Sequence, residues 1–209
     1  MKTIDLALPM TVAFLFLMGV PVPLNFAAEG SGPVTTEGKN EEATMPRQQT
    51  KKILIAYFSN SGNTREIADQ IHRKVGGDLF EIQPVKPYPH IYEVLTKQAK
   101  EELASGTHPA LKADVENMGS YDVVFIGHPI WWGTFPAPVR TFLSAYDFSG
   151  KTLVPFCTHA GSGQGHSVTD ISKLCPRATL LEGIAILGSD AKVSQNEVLQ
   201  WLRRIKLAE

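Results

Sequence analysis

Residues 51–68 read KKILIAYFSNSGNTREIA. The run 53–58 is apolar without interruption, the pattern of a strand covered on both faces rather than of one with a wet side. From Thr64 the period changes, and Ile67, Ala68, Ile71 and Val75 recur on one face of a helix spanning 64–75. Between strand and helix lie Ser59, Asn60, Ser61, Gly62, Asn63 and Thr64, which together offer hydroxyls, amides and one glycine. Two readings of this junction stand side by side. Gly62 permits a turn that aims successive N–H groups at one point, where the positive end of the helix adds to them, so the loop suits a phosphate. Ser, Asn and Thr are also what any helix start prefers, so it equally suits a plain capped turn.

Outward from this unit the same alternation repeats to the end of the chain. Strand-length apolar runs at 78–83, 122–127, 152–157 and 180–186 alternate with helical patterns at 92–104, 136–146, 167–174 and 194–206. Five strands alternating with five helices predict an α/β fold, a doubly wound three-layer αβα sandwich on a parallel sheet. Ligands of such sheets bind beyond the carboxyl ends of the strands. Three loops at those ends carry unusual chemistry, those after the first, third and fourth strands.

The loop after the third strand contains Pro129, Ile130, Trp131, Trp132, Gly133 and Thr134. Two adjacent indoles in a loop do not both point into one core, so one is expected to cover a planar ligand or stand exposed. Gly133 permits positive φ, which lets the peptide between Trp132 and Gly133 turn its carbonyl toward a ring nitrogen. In the competing reading both indoles close the sheet end or a dimer contact. The loop after the fourth strand runs Thr158, His159, Ala160, Gly161, Ser162, Gly163, and its glycines expose backbone donors suited to a carbonyl-rich heterocycle edge.

Other chemistries fit less well. A nucleoside-triphosphate loop carries Lys before its Ser or Thr, where this chain has Asn63 before Thr64. No G-x-G-x-x-G opens a helix, and Ser162 does not sit in a G-x-S-x-G elbow. His159 and His166 have no ligand-type spacing and no carboxylate or thiolate cluster beside them, so no metal is expected. A formal charge of −1 and 20% charged residues give no basic surface for nucleic acid.

The N-terminal part has a different character. The stretch 6–24 is apolar and follows Lys2, which reads 1–28 as an export signal or, uncleaved, a membrane anchor. Residues 29–50 lack apolar periodicity and read as a flexible tether to a domain over 51–209. The expected location is therefore periplasmic or extracellular, with membrane contact only through that first segment. Cys157 and Cys175 are the only cysteines. A helix that starts beside the first and runs away from it separates them by more than the roughly 7 Å a disulfide allows, which predicts two free thiols.

Taken together, KKILIAYFSNSGNTREIA, YDVVFIGHPIWWGTFPAPVRTFL and VPFCTHAGSGQG resemble the flavodoxin family over 51–208. The resemblance implies strand order 2-1-3-4-5 and FMN as cofactor. It assigns the phosphate to Ser59, Asn60, Ser61, Gly62, Asn63 and Thr64. It sets Pro129 to Thr134 along the isoalloxazine and Thr158 to Gly163 at its pyrimidine side. It also implies electron transfer with redox partner proteins or small electron acceptors. Three roles follow: an electron carrier, a reductase of quinones or similar acceptors, and a binding module with little or no flavin. Two departures stand out, a near-neutral domain and a third loop with His159 where many members carry a stacking tyrosine.

Overall fold

The structure, a computed structural model, describes residues 51–209, so the expected signal and tether lie outside the described residues. Among the described residues no helix is long and apolar enough to cross a membrane. The elements are β1 (Ile53–Tyr57), α1 (Asn63–Val75), β2 (Asp78–Glu81), α2 (Tyr92–Ser105), β3 (Val123–Pro129), α3 (Ala137–Ala145), β4 (Thr152–His159), α4 (Ser167–Leu174), β5 (Thr179–Leu180), β6 (Ile184–Leu187) and α5 (Gln195–Arg204). Short 3-10 helices at Met118–Ser120 and Gly188–Val193 complete the list.

All strand pairs are parallel, in the order β2-β1-β3-β4-β5, with β6 also paired to β4. Alternate residues along each strand feed two cores, one on each face of the sheet. Leu54, Val124, Ile126 and Leu153 pack with Phe142, Leu143 and Ile171 of α3 and α4. Ile55, Phe125, Val154 and Phe156 pack with Ile67 and Ile71 of α1 and with Val198, Trp201 and Leu202 of α5. Burial of this kind contributes about 25 cal/mol per Å² of apolar surface, and here it covers the sheet on both sides. The three-layer sandwich follows directly from those apolar strands.

The run 180–186 forms two short strands instead of one. Leu181 still bonds Leu153 O through its N–H, 2.9 Å, and the Trp201 indole donates to Glu182 O at 2.9 Å. Trp201 is fully buried, so its N–H needs an acceptor, and the gap at Leu181, Glu182 and Gly183 provides one. A Cβ on Gly183 would come within 2.9 Å of Pro155 O, so the chain there passes too close for a side chain. Strands β3 and β4 in turn extend past the expected ends at 127 and 157. Their added residues pair in register, His128 with Cys157 and Pro129 with Thr158. Both cysteines are free and buried.

Candidate functional site

The junction after β1 folds around one hydroxyl. Ser59 Oγ accepts the N–H groups of Gly62 and Arg65, each at 3.2 Å, which curls the loop over the first turn of α1. Gly62 takes φ 91°, a left-handed conformation natural to glycine, and its carbonyl begins the helix by accepting Glu66 N–H at 3.0 Å. Among the described residues, the N–H groups of Asn60, Ser61, Asn63 and Thr64 take no backbone acceptor. Four donors without a described partner at the positive end of a 13-residue helix make a nest of the kind that suits an anion. Thr64 itself is buried, and its Oγ1 shares a hydrogen bond of 2.9 Å with Thr158 Oγ1 on β4.

This nest opens onto a cavity of about 810 Å3 at the carboxyl edge of the sheet, within the range of about 300–1,000 Å3 usual for small-molecule sites. From the first loop it takes Asn60, Ser61 and Asn63, from β3 and its turn Pro129, Ile130, Trp131 and Trp132, and from β4 and beyond Thr158, His159 and Ala160. The chain beyond β6 adds Leu187, Gly188 and Ser189. A Cβ on Gly188 would lie 2.8 Å from Asn63 Nδ2, so that turn presses against the start of α1. Among the described residues no Asp, Glu, Lys or Arg lines the cavity.

The two indoles have different surroundings. Trp131 meets the rings of Tyr88 and Phe58 edge-on, with centroids 5.0 and 5.5 Å away. Tyr88 is buried, and burial, with its hydroxyl bonded to Glu102 at 2.6 Å, pushes its ionisation well above the usual range. Trp132 stands half out in solvent, donates from Nε1 to Thr96 O at 2.9 Å, and carries the Lys100 ammonium 5.0 Å from its ring centre. The backbone explains the difference. Trp131 and Thr134 exchange both hydrogen bonds of a tight hairpin, 2.8 and 3.1 Å. Trp132 and Gly133 at its corner have φ 51° and 84°, the signature of a type I′ turn.

Eight of the expected site residues do not line the cavity: Ser59, Gly62, Thr64, Gly133, Thr134, Gly161, Ser162 and Gly163. They shape the residues that do. Thr134 is buried and donates from Oγ1 to Asp170 Oδ2 at 2.8 Å. Gly133 O accepts His166 N–H at 2.8 Å, which ties the hairpin corner to the start of α4. Gly161 N–H donates to His159 Nδ1 at 2.9 Å, so the neutral imidazole carries its proton on Nε2. Gly163 and Gly165 turn the chain with positive φ toward α4. A Cβ on Gly165 would sit 2.1 Å from Gly133 O, so only glycine fits beneath the hairpin.

Two parts of the wall have no counterpart among the three loops, the turn after β6 with Leu187, Gly188 and Ser189 and a face of α2. His90, then Tyr92, Leu95, Thr96 and Ala99 of α2, also border the cavity. Positions i, i+3, i+4 and i+7 form a single helical face, so the signal is present in the sequence. The many Lys and Glu residues of α2 conceal it by marking a solvated helix.

Comparison with known proteins agrees with this geometry. The family model described as flavodoxin matches residues 52–205. A provisionally named flavoprotein of Bacteroides eggerthii is 37% identical, with 75% of this chain and 98% of that chain aligned at TM-score 0.67. A second such protein, from Bacteroides uniformis, is 31% identical over 73% and 98% of the two chains, with TM-score 0.66. A Lactobacillus acidophilus flavoprotein solved in complex with FMN shares the fold at 24% identity and TM-score 0.59, over 67% and 95% of the chains. The sheet order and the match across the described domain agree, and the chain belongs to the flavodoxin family.

Proposed function

We infer that this chain holds FMN in the cavity and transfers electrons through it. The observation that carries the reading is the adjacency of nest and cavity. Four amides without a partner among the described residues lie where Asn60, Ser61 and Asn63 line an uncharged pocket of about 810 Å3. A phosphate monoester fits the donors, which are neutral and already oriented by Ser59, so little ordering cost attends its binding. The FMN complex of the Lactobacillus acidophilus flavoprotein supports the cofactor.

In this reading FMN supplies reversible one- and two-electron chemistry, and the protein binds, orients and shields it. Asn60, Ser61, Asn63 and the Thr64 amide hold the phosphate. Pro129, Ile130 and Trp131 flank the ring on one side and Thr158, His159 and Ala160 on the other. Trp131 is held by Phe58 and Tyr88, so it presents a fixed surface. With Nδ1 taken by the Gly161 N–H, His159 offers an Nε2–H donor in the lining beside β4.

The visible spectrum of the purified protein with FMN, recorded again during stepwise reduction, tests this. Bound-flavin bands that bleach and return on reoxidation are expected, and absence of FMN uptake would overturn the reading in favour of a flavin-free binding module.

Two roles divide the electron-transfer reading. An electron carrier passes electrons between proteins; a reductase gives them to a small acceptor such as a quinone. The exposed apolar side chains Tyr92, Trp132 and Leu187 at the cavity rim favour the second over charge-guided docking to a protein. Rapid oxidation of NADH or NADPH with quinone would decide for the reductase. The apolar stretch 6–24 supports export of the domain, outside or on the membrane, as its setting.

A further inference from the structure

We propose that the mouth of the cavity is a second binding site, where Trp132 and Tyr92 hold an uncharged planar ring of the quinone class. The proposal rests on the FMN reading and adds to it the place and chemistry of the acceptor.

Trp132 is the decisive residue. The first corner of a type I′ turn favours Asn, Asp or Gly, because φ is positive there. A bulky aromatic at φ 51° is an outlier against that preference, and strain of this sort collects at ligand sites. The indole gains no core burial in return, since it remains 50% exposed. What the conformation does provide is a fixed ring. Nε1 is tied to Thr96 O, Lys100 Nζ lies 5.0 Å from the ring centre, and the half-exposed ring still borders the cavity.

Tyr92 supplies the partner. It lies one turn before Thr96 on the same face of α2, is 75% exposed, and still borders the cavity. Trp132 is therefore anchored to the very helix face that presents Tyr92. Leu95 and Ala99, both buried, continue the apolar surface inward. Large exposed aromatics at the entrance of an uncharged pocket match a flat, weakly polar molecule. Among the described residues no cation lines the pocket itself, and the Lys100 ammonium is engaged over the Trp132 ring, so an anion entering loses water with little return.

Calorimetric titration of the FMN-loaded full chain with menadione, an uncharged naphthoquinone, tests the site. Menadione is expected to bind, and its sulfonated derivative to bind more weakly. Trp132→Asn restores a favoured turn residue, so its melting temperature should stay level or rise, while menadione affinity falls about tenfold. Tyr92→Ala, at an exposed position, should weaken menadione about threefold with no change in melting temperature. FMN affinity should stay within about twofold of wild type in Tyr92→Ala. Absence of menadione binding, unchanged menadione affinity in both variants, or equal or tighter binding of the sulfonate overturns the proposal. So does a parallel loss of FMN affinity in Trp132→Asn, which would assign the indole to the flavin. Wild-type protein that takes up no FMN overturns the underlying cofactor reading as well, whereas the former results leave it standing.

Discussion

The Thr134 hydroxyl donates to Asp170 Oδ2 at 2.8 Å, joining the hairpin that carries Trp131 and Trp132 to the first turns of α4. The same oxygen lies 2.6 Å from His166 Nδ1, and Lys173 Nζ is 3.6 Å from the other oxygen. Burial opposes the charge on Asp170, yet Thr134 and His166 outweigh it and hold its carboxyl below the usual carboxylate range. Asp170→Ala removes this brace without touching the cavity. Expected effects are a loss of about 1–2 kcal/mol in unfolding free energy and weaker FMN binding because the hairpin loses its fixed position. Denaturant unfolding and fluorescence titration of FMN measure them.

Replacement of Gly62 separates an anion nest from an ordinary helix cap. A Cβ there meets nothing within 4 Å, so the protein has room for a larger side chain and bears only the strain of φ 91°. Gly62→Val should cost about 1–2 kcal/mol in stability and remove detectable FMN binding, because the side chain bars close approach of a phosphate to the amides. A folded Gly62→Val variant with wild-type FMN affinity would remove the phosphate assignment from this loop.

Acid should destabilise the domain through His128 before it reaches the carboxylates. This ring is fully buried against Phe135, Nε2 has no hydrogen-bond partner among the described residues, and burial lowers its pKa to about 4 although Pro129 O opposes the shift. The unfolded chain takes up a proton near pH 6.5 that the folded chain refuses until about pH 4. Stability therefore rises with pH across this window and is lost on acidification, by roughly 3 kcal/mol in total. His128→Leu should flatten the dependence between those limits. Asp170, with its lowered pKa, adds a further loss only below the ordinary carboxylate pKa of 3.8.

Thiol chemistry should be silent in the native state. Burial pushes the Cys157 thiol up to about 12 and Cys175 up to about 11, so neither offers thiolate or access. Unreduced protein should show no reactive thiol when native and two when denatured. Fewer than two under denaturing, non-reducing conditions would mean a disulfide.

The sheet was legible in the sequence because its signal is local. Leu54, Ile55 and Ala56, or Val123, Val124 and Phe125, are covered on both faces, and continuous apolar runs say so directly. Strand ends were less legible, since His128 and Thr158 are polar residues that stay buried on the strands. Pairing to a neighbouring strand keeps them extended, and no local pattern encodes that. The gap at Gly183 is equally non-local, because the Trp201 side chain fills it from 18 positions away. At the site, the loops after β1, β3 and β4 could be located from their composition, and ten of their residues line the cavity. Which of the paired indoles faces outward depended on the turn type, which Gly133 alone did not specify. The α2 wall was hidden because Tyr92, Leu95, Thr96 and Ala99 make an equally good packing stripe.

The gap between β5 and β6 also bears on how the protein coexists with its own copies. A long, straight outer strand would present a ladder of open N–H and C=O groups to any neighbour, the usual start of sheet-to-sheet polymerisation. Here the margin beside β4 is cut into two- and four-residue pieces. Its middle carbonyl is occupied by the Trp201 indole, and Arg204 reaches the Glu182 carboxylate across it. The opposite margin, β2, is only four residues long. Neither side gives a fibril a template of useful length.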